Sequence, residues 1–277
     1  MKLLRLEQLT GMNIHYRYYT LEDCFRFLNK LGFKSVEIWS SPYHFYLNHL
    51  NYQDTKKIKK MSREYDLNIV CITPEQNNPK PHNIAAGNDE IKKRTLEYFK
   101  NAIRVANEFE CNRVVVTSGW AFYSENKEEA WKRSVEMLNN LCEFAKENGV
   151  ILALEALQPQ ESILVNDILS LKRMLEDVAS EQLKVTIDMG AMAKADETIQ
   201  DYFDAFGDRV VHTHFVDGKP TGHLAWGDGE RNLVEDLKSF KRNNYRGFFT
   251  LEYAADRYYK EPFKADKQTM DKIKQFI

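Results

Sequence analysis

The sequence predicts an α/β chain folded as a closed (β/α)8 barrel, and three observations carry that prediction. Eight short apolar or β-branched segments alternate with long charged segments of helical periodicity. They recur about every 35 residues, the length one β/α unit takes in a barrel of this size. An open doubly wound sheet would alternate in the same way, but no G-x-G-x-x-G follows the first segment and no G-x-x-x-x-G-K-[ST] occurs anywhere. No linker rich in Pro, Gly or Ser divides the chain, so residues 1–277 read as a single barrel domain.

The first strand is expected over Leu4 to Met12 and the first helix over Leu21 to Leu31. Ser35 to Trp39 is the second strand, followed by a helix over Tyr52 to Tyr65; Asn68 to Thr73 is the third, followed by Asp89 to Glu108. In that last helix Leu96, Phe99, Ile103 and Ala106 form an apolar stripe at i, i+3, i+4 spacing. The fourth strand is Arg113 to Thr117 and its helix Lys127 to Asn148; the fifth is Ile151 to Glu155 and its helix Asp167 to Val178. Arg113-Val-Val-Val-Thr117 and Val150-Ile-Leu-Ala-Leu154 are nearly continuous apolar runs, as parallel strands covered on both faces must be. Val185 to Asp188, Val210 to His214 and Phe248 to Glu252 complete the strands, with helices over Thr198 to Phe206 and Leu233 to Arg242 between them.

Composition narrows the function. The hydrophobic fraction of 43% is that of a globular chain and excludes disorder. Lys and Arg total 39 against 41 for Asp and Glu, with no run of five or six like charges, so a nucleic-acid partner is not expected. No apolar stretch approaches the roughly 20 residues that span a bilayer, and Met1-Lys2-Leu3-Leu4-Arg5 has no signal-peptide character. A soluble, cytoplasmic protein without a membrane partner is expected, and the composition is compatible with a homo-oligomer. Cys24, Cys71, Cys111 and Cys142 are too far apart for a zinc finger or redox motif and read as small apolar residues in a reducing compartment.

Against apolar strands, polar strand ends stand out. Glu155, Asp188, His214 and Glu252 close strands five to eight, each one unit after the last. In a barrel such residues point into the mouth at the C-terminal ends of the strands. Three carboxylates crowded there resist joint ionisation, and a divalent cation is the simplest neutraliser. Three oxygens and an imidazole suit one Mn²⁺, Co²⁺, Mg²⁺ or catalytic Zn²⁺ per chain. Glu155 and Glu252, three strands apart, would flank that ion and address the two faces of one carbon, one removing a proton and the other returning it. The ion would hold adjacent carbonyl and hydroxyl oxygens and stabilise an enediolate. His212 shares its face with His214 but sits one layer deeper, where a hydrogen-bonded core histidine is the plainer reading.

These residues resemble the sugar isomerase and epimerase family of the xylose-isomerase-like TIM barrels. His212-Thr-His-Phe-Val-Asp217, followed by His223 and Gly227-Asp-Gly229, is similar to that family's H-x-H…D…H…P-G-x-G signature. Val36-Glu-Ile-Trp39, Ile72-Thr-Pro-Glu75, Leu154-Glu-Ala-Leu-Gln-Pro159 with Glu161-Ser162, and Tyr202-Phe-Asp-Ala-Phe-Gly-Asp208 resemble its fructoselysine-directed branch. The resemblance implies one divalent metal on Glu155, Asp188, His214 and Glu252, with the two Glu as the acid/base pair of a ketose 3-epimerase. It also implies substrate contacts from Glu161, His212, Lys219 and His223. The chain departs from the family at Ala191, where many members carry a His that contacts the sugar near its first carbon, and at Trp226, where Pro is usual. Ala191 leaves room there for a substituent, so 3-epimerisation of a ketose or fructoselysine-like ketosamine is the expected activity. Aldose-ketose isomerisation and inosose-type dehydration use the same chemistry and stand as alternatives. A nuclease of the endonuclease IV type is disfavoured by only seven His in all and a balanced charge. A non-catalytic sugar-binding protein is the remaining reading.

Overall fold

The computed structural model describes residues 2–76 and 80–277. Its eight strands are β1 Leu9–Met12, β2 Ser35–Trp39, β3 Asn68–Thr73, β4 Arg113–Val116, β5 Ile151–Glu155, β6 Leu183–Asp188, β7 Val210–His214 and β8 Phe248–Thr250. They pair in chain order, every pair parallel, and β8 returns to β1 through Thr10 opposite Thr250, so the sheet closes as a barrel. The registers that place the site are Glu155 opposite Thr186, Asp188 opposite His214, and His214 opposite Thr250.

Three strands are shorter than expected, β4 by the single residue Thr117 and β1 and β8 by more. Leu6–Gln8 forms a 3-10 turn in which Gln8 Oε1 accepts from the Arg5 backbone amide, so β1 begins only at Leu9. At the other end β8 stops at Thr250: the Leu251 amide still donates to the Thr10 carbonyl at 2.9 Å, but the Glu252 amide turns back onto the Thr250 carbonyl at 3.2 Å. Glu252 therefore lies two residues beyond its strand rather than on it.

The outer ring is α1 Leu21–Leu31, α2 Thr55–Glu64, α3 Asp89–Glu108, α4 Lys127–Glu147, α5 Ile168–Val178, α6 Met189–Lys194, α7 Ile199–Phe206, α8 Leu233–Arg242 and α9 Pro262–Ile273. Several starts were expected one to three residues earlier, because Asp54, Asp167 and Thr198 are caps whose side chains accept amides of the first turn. The short α6 and the closing α9 were not among the expected helices. Between α7, α8 and the outer faces of β7 and β8 lies an aromatic cluster of Phe203, Phe215, Phe240, Tyr245 and Phe249, with ring centres 5.0 to 6.0 Å apart. Fully burying each such ring contributes roughly 1.5–3 kcal/mol. No helix among the described residues is long and apolar enough to cross a membrane.

Candidate active site

Glu155, Asp188 and His214 end β5, β6 and β7, and the chain beyond β8 delivers Glu252 to the same point. His214 Nδ1 lies 3.0 Å from Glu155 Oε2, 3.0 Å from Glu252 Oε2 and 3.6 Å from Asp188 Oδ2. Asp188 spends Oδ1 on capping α6, accepting the Ala191 amide at 2.6 Å, which leaves Oδ2 for the cluster. His223 joins from the loop after β7, its Nε2 2.8 Å from Asp188 Oδ2 and 3.2 Å from Glu252 Oε2.

That loop is held by two close approaches that exclude a side chain. Asp217 accepts the amides of Gly227, Gly229 and Arg231 at 2.8 to 3.0 Å, and a Cβ on Gly229 would fall 2.2 Å from the Asp217 carbonyl oxygen. Gly218 crosses the start of α6, where a Cβ would fall 2.8 Å from the Met189 carbonyl oxygen. Asp188 and His223 are thus brought together by backbone contact as well as by charge.

The donor set fits a cation. His214 Nδ1 and Glu155 Oε2 are both buried and make no hydrogen bond, although they are 3.0 Å apart. Their lone pairs and those of Glu252 and Asp188 converge on a common space. Neighbouring ligands of an ion at about 2.1 Å in octahedral geometry stand about 3 Å apart, which is the spacing found. Among the described residues three groups have the spacing to hold an ion: Glu155–Asp188–His214 and Asp188–His223–Glu252 at the mouth, which share Asp188, and Glu37–His212–His214 beneath them.

Electrostatics sets the two glutamates apart. Burial pushes Glu155 up to about 7 against the pull of His214. Burial also works to raise Glu252, but His214 and His223 outweigh it and bring that carboxyl down to about 2. Burial dominates at Glu155 and the two histidines dominate at Glu252, so the two carboxyls move in opposite directions.

Beneath the cluster lies a feature that strand-end reasoning missed. Glu37, in the middle of β2 and fully buried, takes His212 Nε2 at 2.7 Å on Oε2, and His214 Nε2 at 3.3 Å with the Thr73 hydroxyl on Oε1. Burial would raise Glu37, yet the two histidines hold it well below the usual carboxylate range. Donation from His214 Nε2 to Glu37 leaves Nδ1 as the face presented to a cation. Its signal in the sequence was a charged residue inside an otherwise apolar strand, Val36-Glu-Ile38.

The remaining expected residues are dispersed. His212 is wholly buried on Glu37 and Thr250, one layer below the mouth. Glu161 lies in the loop between β5 and α5, where its Oε2 accepts the Gln158 amide at 3.0 Å and burial raises its carboxyl. Lys219 is exposed and borders a separate hollow of about 610 Å³ with Glu230 and Arg231. The structure gives it no contact with the carboxylates. Ala191 is buried at the start of α6, and Trp226 packs on Phe215 with ring centres 4.5 Å apart.

Glu155 and Glu252 open into a cavity of about 200 Å³ that is also bordered by Arg17, Trp39, Glu75 and Lys80. Larger hollows of about 470 and 500 Å³ lie at the N-terminal end of the barrel, around Gln8, Arg113 and Tyr245, away from the carboxylates.

The fold agrees with the sequence comparison, which matches the family described as xylose isomerase-like TIM barrel over residues 25–276. The chain belongs to that family. It is 30% identical over 259 residues to a fructoselysine 3-epimerase of Shigella flexneri, covering 93% of each chain. It is 22% identical to a D-psicose 3-epimerase of Agrobacterium fabrum over 79% of this chain and 74% of that one. Among solved structures, 3-keto-D-glucoside 4-epimerase of E. coli superposes with a TM-score of 0.81 at 15% identity, covering 97% and 99% of the two chains.

Proposed function

We propose that the protein is a divalent-metal-dependent sugar epimerase that inverts the third carbon of a ketose or ketosamine. The observation that carries this reading is the placement of the Glu155 and Glu252 oxygens, each 3.0 Å from the same imidazole nitrogen, one delivered by the end of β5 and the other by the segment that follows β8. Full-length similarity to a 3-epimerase supports it.

Glu155, Asp188, His214 and Glu252 would hold the metal, whose positive charge would offset the oxyanion that develops when a proton leaves the carbon beside a carbonyl. A sugar carbon seated between Glu155 and Glu252 loses its proton to one carboxylate and regains one from the other on the opposite face, which inverts the centre. In the reverse direction the roles exchange.

The substrate is read from Ala191 and Glu161. Ala191 puts only a methyl group where the family's His would meet the sugar's first-carbon end, and Glu161, in the loop after β5, would offer a carboxylate to a protonated amine there through a charge-assisted hydrogen bond. The preferred substrate is therefore a ketose bearing an amine substituent on its first carbon, with fructoselysine as the first compound to test. The four cysteines are free and buried, which suits a reducing cytoplasmic setting.

The test follows ketosamines and free ketoses by ¹H NMR with the metal-loaded enzyme, alongside Glu155→Gln, Glu252→Gln and Glu161→Gln. Each of the first two should lower the rate by roughly 10² to 10⁴, the scale of general acid/base catalysis. Glu161→Gln should penalise the ketosamine alone. A product other than the 3-epimer, or full rate in either of the first two variants, overturns the reading.

A further inference from the structure

Arg17 borders the cavity that Glu155 and Glu252 open into, and among the described residues it has no carboxylate partner. The other charges there are accounted for. Lys80 pairs with Glu75 at 3.2 Å, and the two glutamates belong to the cluster around His214. The guanidinium is fixed rather than free. It lies between the rings of Trp39 and Tyr259, 5.1 and 4.1 Å from their centres, and its Nε donates to the Ile14 carbonyl at 3.2 Å.

The loop that carries it is equally fixed. Asn13 accepts the Trp39 amide at 2.7 Å and donates to the Trp39 carbonyl at 2.9 Å. The same amide group donates to His44 Nδ1 at 2.8 Å, and His44 Nε2 donates to the Tyr19 carbonyl at 2.8 Å. Both ends of the segment around Arg17 are thus tied to the end of β2 and the loop beyond it. An arginine kept only to tie loops together would spend its terminal nitrogens on carbonyls or carboxylates. Arg17 spends only Nε, which leaves the planar pair of terminal N–H groups that matches a carboxylate or phosphate in two parallel bonds.

We propose that Arg17 binds an oxyanion carried by the substrate, at the side of the mouth opposite Glu161. The proposal rests on the ketosamine reading above and deepens it: the substrate has a cationic amine toward the β5 loop and an anionic group toward the β1 loop. Two sources share that chemistry, a phosphate ester on the far end of the ketose and the carboxylate of an amino acid supplying the amine. A prearranged, stacked guanidinium adds affinity because little side-chain freedom is lost on binding.

The experiment compares fructoselysine, its decarboxylated counterpart built on cadaverine, and the 6-phosphate of each, with metal-loaded wild type, Arg17→Gln and Arg17→Lys. Calorimetric binding is measured beside kcat and KM. Arg17→Gln should raise KM and weaken binding about 10- to 100-fold for the anionic compounds, the range for a lost charged hydrogen bond. The compound without carboxylate or phosphate should change less than about threefold, kcat should hold, and Arg17→Lys should recover part of the loss. Loss confined to the phosphorylated pair identifies the phosphate ester, and loss confined to the carboxylated pair identifies the amino acid. Equal loss for charged and uncharged compounds, or none for any, overturns the proposal. Binding without turnover would overturn the proposed reaction while the Arg17 comparison stands, and a failure of every compound to bind wild type overturns both.

Discussion

Replacing Glu37 by Gln tests how the barrel interior prepares His214 for a cation. The two carboxylate oxygens of Glu37 receive three donors, His212 Nε2 at 2.7 Å on one, and His214 Nε2 at 3.3 Å with the Thr73 hydroxyl on the other. Glutamine keeps the volume but offers one carbonyl oxygen and one NH2 group. The shorter contact belongs to His212, so the amide oxygen faces that ring and the NH2 meets His214 Nε2. His214 must then accept at Nε2 and carry its hydrogen on Nδ1, the atom 3.0 Å from Glu155 and Glu252. Loss of such an orienting carboxylate typically costs 10- to 100-fold in metal affinity, or about 1.4–2.8 kcal/mol. Titration of the chelator-treated protein with Co²⁺, followed by visible absorption, measures it. Urea unfolding of the metal-free variant separates a binding effect from misfolding. Affinity within about twofold of wild type, in a variant that folds normally, would show that Glu37 does not orient His214 for the cation.

Three further outcomes follow from the same geometry. Chelator dialysis should abolish activity and lower thermal stability, with about one Mn²⁺ or Co²⁺ per chain restoring both, because an ion that binds only the folded state at 100 times its Kd adds about 2.7 kcal/mol. Phe240→Ala should lower the unfolding free energy by about 3–5 kcal/mol in urea with an unchanged m-value, since Phe240 is 1% exposed among Phe203, Phe215, Tyr245 and Phe249. His82 stacks on Tyr98 with ring centres 3.8 Å apart, and burial, with Arg94 and His49 nearby, pushes it down to about 4. An unfolded His titrates near 6.5. The unfolded chain therefore takes up a proton first, and stability present above about pH 6.5 falls as pH drops toward 4. His82→Phe should flatten that part of a melting-temperature profile, and an unchanged slope would count against the assignment.

What was legible in the sequence was whatever a period or an interruption of a period encodes. Glu155, Asp188 and His214 each close a strand, and a barrel strand has one C-terminal end at the mouth, so their convergence follows from where the strands stop. Glu252 was assigned by the same logic, yet it reaches the cluster because the chain leaves the ladder after Thr250 and turns back, which no alternation signals. Glu37 escaped because it is charged in mid-strand rather than at an end. Arg17 lies in a loop whose course depends on Asn13 and His44 meeting across different elements, and long-range pairing of that kind leaves no local pattern. The six residues of α6 are too few to show a helical period, whereas α9 carried a readable start in Pro262 at its first turn. Lys219, grouped with the substrate contacts through the family signature, sits on an exposed rim, because adjacency in a signature does not set direction in space.

In the proposed reaction one of Glu155 and Glu252 removes the proton from the third carbon of the sugar and the other delivers a proton to its opposite face. The most direct measurement is mass and NMR analysis of the epimer formed by metal-loaded enzyme in D₂O under single-turnover conditions. One deuterium at the third carbon of the product and none elsewhere is the predicted result, with Glu155→Gln and Glu252→Gln both failing to produce it. Product formed at the wild-type rate without deuterium, under conditions where free exchange with solvent is shown to occur, would mean that hydrogen moves without release to a carboxylate and would exclude the two-glutamate mechanism.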